Sequence, residues 1–537
     1  MENTIELRVC LIENSQELAS ILRQRGIIFV QEELKNLNKI SGFATVIINE
    51  RLRRQDFFIL KEFLLKGGAV ILDCENKKFP KSIGAREIND PSLDLLKEIR
   101  LFKLEKGYLL SVDADFKTIL LNTQSCNKQL ITSAGIIHER LAKFPKSKIA
   151  ELVFLGIALA HSLRELPFVW VWYYPKSYSS VFNLRFDLDE DTEDDLFKTA
   201  EVSAEYKDCT TWFVCGYSFE KKSYKIMDMI RSGYDIESHG YYHHTYKDAR
   251  QNELNFKKQS EYLKQFNLAP DGFAAPKGFW NPGLQDILEK RRFLYSSEFS
   301  FDYDNFPLFP YINGKFSKVL QIPVHPVCWG LFSDANIHDH AAITDYFKNV
   351  MKIKFESSLP ILLYAHPNEA RKRDPRLLLE IYEYMSSLKG VWRQTLSGFA
   401  KWWKKRDLFS ISRLEYSPGT GKINFIVNQG CDFQDVSLCI YKGENACFLT
   451  EIRQPEDDIF LQSQGTLKNI TNQSARLAFF EEREYSPGLF RQIKERIVGL
   501  LDWEENTPTE QIYKGTPRGM IKYVLRNAGL GKIKLPF

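Results

Sequence analysis

The sequence lacks long apolar runs, clustered cysteines and an apolar leader. No stretch reaches the ~18 apolar residues of a membrane-spanning helix, which excludes an integral membrane protein. The nine cysteines are scattered from Cys10 to Cys447 and form no C-x-x-C pair, so we expect neither a disulfide framework nor a structural zinc site. The first residues are charged and show no secretory signal. We therefore expect a cytoplasmic protein.

The chain also lacks a bias towards one sign of charge. Its 537 residues include 73 Lys and Arg and 69 Asp and Glu, which leaves a net charge of +4. So balanced a chain has no global attraction for nucleic acid, and we expect none as a partner. Apolar residues make up 44% and charged residues 26% of the sequence, which excludes a disordered chain. At about 100–200 residues per domain, the length predicts roughly three domains.

The first part of the chain alternates strand-like and helix-like segments. Strands are predicted at 7–11, 45–48 and 69–73, and helices at 15–25 and 54–65. This alternation predicts a doubly wound α/β domain over residues 1–95. It resembles the flavodoxin-like or amidotransferase-like modules that are appended to some sugar-processing enzymes. It has no Gly-rich phosphate loop and no cysteine at a strand-to-helix elbow, so we interpret it as a non-catalytic docking or oligomerisation domain.

Three further regions follow. Residues 96–177 are predicted as a connecting α+β region, and residues 178–406 as a second α/β domain that holds seven of the nine histidines. Residues 407–537 contain strand-like runs separated by turns, which predict a small C-terminal β-sandwich. Its tail carries six basic residues and no acidic residue from Gln511 onward, namely Lys514, Arg518, Lys522, Arg526, Lys532 and Lys534.

This tail fits an amphipathic basic helix over residues 517–530. Two placements stay open for it. The helix can pack on the chain's own domains with its charges in water. Alternatively, it can rest on an anionic membrane surface, to which basic residues near the lipid are attracted. Peripheral membrane contact and a homo-oligomer are therefore both open as partner predictions.

An acidic loop follows an apolar strand at the start of the second α/β domain. Seven of the nine residues from Asp187 to Asp195 are acidic, and such crowding is unfavourable unless a cation or the solvent screens it. Asp187 and Asp189 differ from the others because they stand at the end of the strand. At a spacing of two they face the same side. The remaining acidic residues fit a solvated loop before a helix.

A histidine pair lies downstream of these carboxylates. His239 and His243 are four residues apart, a spacing that lets two imidazoles bind one metal ion, and the adjacent His244 is an alternative ligand. Taken alone, such a pair more often belongs to a core or a surface. Combined with a strand-end carboxylate, it favours a hydrolytic metal centre, because two histidines and one carboxylate leave open positions on the metal.

Together these motifs resemble those of the NodB-type polysaccharide deacetylases, carbohydrate esterase family 4. Residues 185–189 read Arg-Phe-Asp-Leu-Asp, a D-x-D variant of the family's T-F-D-D motif. Residues 239–243 read His-Gly-Tyr-Tyr-His and are similar to H-S/T-x-x-H, and His366 ends a strand as in the fifth motif. The third motif, R-x-P-x-G, is Ala-Ala-Pro-Lys-Gly at 274–278 and has lost its arginine. The fourth, at 295–304, is only weakly similar.

The resemblance implies a distorted (β/α) barrel with a site at the carboxyl ends of its strands. It implies Zn²⁺, or another divalent metal, held by Asp189, His239 and His243. Asp187 would be the catalytic base and His366 the catalytic acid. The implied reaction is the metal-dependent hydrolysis of an N-acetyl, or related small acyl, group from an amino sugar or glycan.

Two other functions stay open. The lost arginine at Ala274 and the weak fourth motif favour a catalytically decayed sugar-binding or scaffold protein. The retained base, ligands and acid count against it, because a binding protein does not need all of them. A deformylase acting on a lipid-linked sugar would keep the hydrolysis and release formate instead of acetate.

Three further residues are candidates for the site. His325 follows another apolar strand and is a possible ligand or ligand-supporting residue. Trp280 offers a stacking platform for a sugar ring, and Lys277 offers a charge in place of the lost arginine. Each has an ordinary structural alternative: a strand-end histidine, a core tryptophan and a surface lysine.

Overall fold

The computed structural model describes residues 4–89, 98–189, 191–372, 376–442, 446–461, 466–469, 479–486, 488–504 and 517–527. Within these residues the chain builds a seven-stranded sheet, an eight-stranded parallel sheet and two four-stranded antiparallel sheets. Among the described helices, none combines the length and the apolar character needed to cross a membrane.

The seven-stranded sheet belongs to the N-terminal region. Its parallel strands lie in the order Phe29–Glu32, Val9–Ile12, Thr45–Ile48, Ala69–Leu72 and Gly107–Val112, and the antiparallel strands Ile99–Leu104 and Arg86–Ile88 complete it. The helices around it are Glu17–Gln24, Leu34–Gly42, Arg54–Leu65, Phe79–Ser82, Phe116–Leu121 and Ser147–Ser162.

Helices cover both faces of this sheet. On one face Val46 and Val70 pack in the same core as Leu60 of the Arg54–Leu65 helix. On the other, Ile71 packs in a second core with Val153 of the Ser147–Ser162 helix. The arrangement is therefore doubly wound, as predicted. Its last strands come from beyond residue 95, because the hairpin 99–112 pairs along the otherwise open edge of the Ala69–Leu72 strand. The resemblance to amidotransferase-like modules stays a prediction.

A hairpin connects this region to the next. Its strands are Ser125–Thr132 and Gly135–Ala142, and the strand Glu481–Glu484 pairs with the first of them. The backbone N–H of Ala142 donates to the carbonyl of Phe299 at 3.2 Å. The hairpin thus lies against the central domain.

Eight parallel strands form the central sheet. Seven lie in the order Leu320–Gln321, Tyr295–Ser296, Gly272–Phe273, Asp235–Ser238, Thr210–Val214, Ser180–Leu188 and Ile361–Ala365, and Val391–Arg393 also pairs with the start of Ser180–Leu188. The main helices of this region are Glu193–Val202, Ser223–Arg231, Ala249–Lys264, Pro282–Lys290, Trp329–Asp334, His340–Glu356, Pro367–Lys372, Arg376–Ser387 and Leu396–Leu408.

This sheet has the features of a distorted (β/α) barrel. All nine residues of the Ser180–Leu188 strand are buried, as expected when helices cover one side and side chains fill the other. The first and last strands in this order do not pair along their length. Instead, a single backbone hydrogen bond of 2.9 Å joins His325 N–H, just after the Leu320–Gln321 strand, to the Leu362 carbonyl in the Ile361–Ala365 strand. The predicted distorted barrel is confirmed.

The two antiparallel sheets lie towards the C-terminus. One has the order Ile5–Glu6, Ile411–Ser417, Lys422–Val427 and Glu456–Phe460, and the other Phe168–Val171, Ser437–Tyr441, Ala446–Glu451 and Thr466–Asn469. Leu414 of the first sheet and Ile440 of the second belong to the same core. Each sheet takes its first strand from a segment that precedes the barrel. One of the strand-like runs predicted in the C-terminal region, residues 475–480, falls largely outside the described residues.

Candidate metal centre

The predicted site residues meet at one edge of the central sheet. Asp187 is the penultimate residue of the Ser180–Leu188 strand, and Asp189 follows that strand directly. His239 and His366 each follow directly after another strand of the same sheet. Because all these strands are parallel, their carboxyl ends lie at the same edge, and side chains from distant parts of the sequence come together there.

Asp189, His239 and His243 form a compact group. Asp189 Oδ1 lies 3.1 Å from His239 Nε2 and 3.0 Å from His243 Nε2. One nitrogen or oxygen from each of the three side chains lies within 4.8 Å of the others, a set that fits one divalent ion. Burial by itself would raise the pKa of Asp189, but the histidines around it hold that pKa well below its ordinary value.

The backbone orients His239. Its Nδ1 lies 2.8 Å from the Ala274 carbonyl oxygen, which only accepts hydrogen bonds, so Nδ1 carries the proton and the lone pair is on Nε2, towards Asp189. This contact needs no side chain at Ala274. The next residue, Gly240, has a φ of +81°, and a Cβ there would lie 3.2 Å from the Tyr242 carbonyl. The left-handed backbone explains why glycine replaces the family's hydroxyl residue.

His244 points elsewhere. Its Nε2 lies 3.0 Å from Asp502 Oδ1, and Asp502 Oδ2 accepts the backbone N–H of Lys247 at 3.0 Å. Asp502 is the residue that ends the Leu489–Leu501 helix. His244 therefore ties the loop after His243 to the C-terminal segment, and the geometry favours His243 over His244 as the second imidazole of the group.

A buried arginine holds Asp187. Arg185 Nη2 donates to Asp187 Oδ2 at 2.9 Å, and Nη1 donates to the carbonyl and hydroxyl oxygens of Ser297 at 2.6 and 2.8 Å. Both charged side chains are almost completely buried. Lys277, considered from the sequence as a replacement for the lost arginine, is exposed, as its surface alternative expects. Arg185 was missed, although its spacing of two from Asp187 on a strand was a usable signal.

A carboxylate orients His366. Its Nδ1 donates to Glu369 Oε1 at 2.7 Å, and its Nε2 lies 3.6 Å from Asp189 Oδ2. The Cys328 thiol also donates to Glu369 Oε1, at 3.5 Å. Burial lowers the pKa of His366, but Glu369, Cys328 and Asp189 outweigh it and raise that pKa well above its ordinary value. Glu369 was missed; its only signal was its position three residues after His366, in the first turn of a helix.

Two other candidates from the sequence are structural. His325 is buried and bonds to Asp304 at 2.9 Å and to the Tyr346 hydroxyl at 3.0 Å, in a network separate from Asp189. Trp280 is 3% exposed, and its indole N–H donates to Gln285. A sugar-stacking role for Trp280 and a ligand role for His325 are therefore wrong, because both side chains are satisfied within the core.

Comparison with known proteins gives one family match and several distant structural similarities. Residues 180–295 match the family model for polysaccharide deacetylase. The chain is similar to a probable polysaccharide deacetylase from Pseudomonas aeruginosa PAO1 (15% identity, TM-score 0.37, 43% of this chain and 92% of that one). It is also similar to PuuE allantoinase, with 15% identity and a TM-score of 0.36 over 43% of this chain and 92% of that one. A third similar structure is peptidoglycan deacetylase PdaC from Bacillus subtilis, with 15% identity and a TM-score of 0.28 over 42% of this chain and 93% of that one.

No curated protein matches the sequence. The family match nevertheless spans the Ser180–Leu188 strand with Asp187, Asp189 directly after it, and the loop that carries the histidine pair. The chain therefore carries a polysaccharide deacetylase domain over residues 180–295.

Proposed function

We propose that the chain is a metal-dependent hydrolase that removes an N-acetyl, or related small acyl, group from an amino sugar or glycan. The observation that carries the proposal is the grouping of Asp189 with three histidine nitrogens at 3.0–3.6 Å. The group lies at the carboxyl ends of the strands, where Asp187 is the penultimate residue of its strand. A ligand set, a base and an acid are the parts that amide hydrolysis requires.

The donor set fits a catalytic divalent metal. Asp189, His239 and His243 would hold it, and Zn²⁺ is favoured because two imidazole nitrogens and one carboxylate oxygen form one of its usual catalytic sets. A bound metal of this kind polarises the acyl carbonyl and makes a nearby water more acidic. The Ala274 carbonyl supports the set by fixing the tautomer of His239.

Asp187 would accept the proton of the attacking water. One of its oxygens is held by Arg185, and this contact fixes the carboxylate beside a cation in a buried position. A buried carboxylate that lacks a cation partner is strongly disfavoured. Arg185 is itself anchored by two hydrogen bonds to Ser297, so the base is held by a rigid chain of contacts.

His366 would protonate the leaving nitrogen. Glu369 accepts a hydrogen bond from the Nδ1–H of His366, so the Nε2–H, on the side of Asp189, is the proton donor. The amide C–N bond breaks, the hydroxyl of the water stays on the acyl carbon, and the nitrogen leaves as an amine. The acid released is acetate for an N-acetyl sugar and formate for an N-formyl sugar.

The arginine at the base bears on the alternative of a decayed binding protein. That alternative depended mainly on the alanine at position 274, where the family has its supporting arginine. Arg185 supplies a buried cation to Asp187 from within the first motif. The loss at Ala274 is therefore no reason to expect lost activity.

The test uses the full chain, stripped of metal with a chelator and reloaded with Zn²⁺, Co²⁺ or Mn²⁺. Each form is incubated with N-acetylated and N-formylated glucosamine oligosaccharides, and the released acid is identified. We expect acetate from the reloaded chain and none from the stripped chain. Formate alone would establish the deformylase. Release of neither acid by any reloaded form would contradict the proposed hydrolase.

A further inference from the structure

The Pro517–Asn527 helix turns two of its three charged side chains, Lys522 and Arg526, towards the protein. Lys522 is fully buried, its Nζ lies 2.7 Å from the Glu504 carboxylate, and it donates to the Asp502 carbonyl at 2.6 Å. The Arg526 guanidinium lies over the Trp503 ring, 5.0 Å from its centroid. These contacts dock the helix on residues 502–504. They also mean that two of the tail's basic residues face inwards.

The same helix turns its apolar side chains outwards. Met520, Ile521 and Val524 are 68%, 51% and 63% exposed, and Tyr523 is 55% exposed. An ordinary surface helix has the opposite arrangement, with its apolar stripe against the core. An outward apolar stripe on a docked helix indicates that something else covers it.

The Leu489–Leu501 helix shows the same arrangement. Its outward residues include Leu489, Ile493, Ile497 and Leu500, which are 49–73% exposed, whereas Glu495 turns inwards to Asn127. These four residues and the four of the last helix are called the apolar helix face below. They make up eight of the twenty large apolar side chains that are exposed among the described residues. Two short helices thus concentrate the exposed apolar surface.

The charge around this face indicates its occupant. Arg496 and Arg518 are exposed on the two helices. Apart from the inward-facing Lys522 and Arg526, the sequence from Gln511 onward adds Lys514, Lys532 and Lys534 and has no acidic residue. Apolar side chains combined with cations suit an anionic bilayer, where the apolar groups enter the interface and the cations meet the headgroups. We propose that the apolar helix face docks on an anionic lipid surface.

The docking helices connect to the candidate metal centre. Asp502, at the end of the first helix, bonds to His244, which directly follows His243 in the chain. If the proposed hydrolase is correct, lipid docking places its site beside the membrane, where lipid-carried glycans are found. Lipid binding itself does not depend on activity, so the two proposals can fail separately.

The test is co-sedimentation of the full chain with vesicles of phosphatidylcholine, with or without phosphatidylglycerol. Wild-type chain should sediment with the anionic vesicles and should be released by high salt, which screens the headgroup attraction. The double variant Ile521→Glu/Val524→Glu should bind at least about tenfold more weakly, because carboxylates replace groups that enter the lipid. Both side chains point outwards, so its melting temperature should match wild type.

The matched control is Phe58→Glu/Leu408→Glu, which changes two apolar residues that are 70% and 69% exposed outside the face. It should bind like wild type. No vesicle binding by wild type, or equal binding by both double variants, would overturn the proposal. A dimer that dissociates in the Ile521→Glu/Val524→Glu variant, without vesicle binding by wild type, would assign the face to a second copy instead.

Discussion

Arg185 and Asp187 lie two residues apart on one strand and form a buried ion pair of 2.9 Å. The family places the equivalent cation in its third motif, and this chain has Ala274 there. The proposed base needs a fixed cation beside it, and Arg185 meets that need although it belongs to the first motif and not to the third. Arg185 is therefore the positioning residue of the proposed reaction.

We expect Arg185→Lys to keep the fold and the bound metal but to lower kcat by about ten- to a hundredfold, because the compact ammonium of lysine cannot bridge Ser297 and Asp187 as the planar guanidinium does. KM should change little. The control is Arg291→Lys, which alters a paired arginine elsewhere in the barrel. Unchanged kcat in Arg185→Lys, measured by acetate release at saturating substrate, would refute the positioning role.

Glu298 is a buried carboxyl group near Arg185. Burial raises its pKa to about 7, against the opposing effects of Gln321, Ser296 and Arg185. The folded state therefore holds a proton that the unfolded state loses above the ordinary value of 4.5. Because the folded state binds more protons between these two values, stability falls as the pH rises through that window.

We expect Glu298→Gln to remove the fall in stability that wild type shows as the pH rises. Relative to wild type, its stability should increase by up to about 1.4 kcal/mol per pH unit across the window and stay constant above it. Thermal melts of both proteins below and above the window measure the effect, with Glu451→Gln as an exposed control. A difference that does not grow with pH would show that Glu298 stays ionised in the fold.

The sequence pointed to the residues of the candidate site more clearly than to the residues that hold them. Asp187, Asp189, His239, His243 and His366 carry recognisable spacing, and the structure brings Asp189 and the three histidines together. The supporting residues Arg185 and Glu369 were missed because hydrogen-bond partners depend on which side chains lie close together in the folded structure. Arg185 two residues from Asp187 and Glu369 three residues after His366 were local signals, but such spacings are common and do not by themselves single out a partner.

At the scale of helices and strands, the local sequence pattern predicted which segments form a helix or a strand, but not which strands pair with each other. The predicted strand 45–48 and helix 54–65 have the observed bounds. In contrast, the pairing of Ile5–Glu6 with Ile411–Ser417, and of Phe168–Val171 with Ser437–Tyr441, was not predictable. Each strand pairs with a partner beyond the whole barrel, and periodicity gives no information about a partner so distant in sequence.

The Leu489–Leu501 helix supports the metal-centre loop through Asp502. We expect Asp502→Ala to weaken Zn²⁺ binding by about tenfold or more, because His244 and Lys247 lose the acceptor that fixes the loop after His243. Competition with a chromogenic chelator measures the affinity, and the exposed Asp113→Ala is the control. Equal affinity in both variants would mean that the loop holds its shape without the C-terminal helix.

At the scale of the whole molecule, the regions interlock around the barrel. The C-terminal sheets take strands from before the barrel, and the 125–142 hairpin pairs with a strand near the end of the chain. Arg406, at the end of the barrel region, donates to the carbonyls of Trp172 and Val171. Experiments on the site therefore belong on the full chain, since the barrel alone lacks strands and partners that it contacts.

The most direct test compares two variants of the full chain, His239→Ala and Asp187→Asn, by metal content and acetate release. His239→Ala should lose bound metal and turnover together, because it removes one of three ligands. Asp187→Asn should keep a full equivalent of metal and lose turnover, because the amide keeps the shape but cannot accept a proton. Full metal in His239→Ala, or wild-type acetate release by Asp187→Asn, would contradict the proposed metal centre and its base.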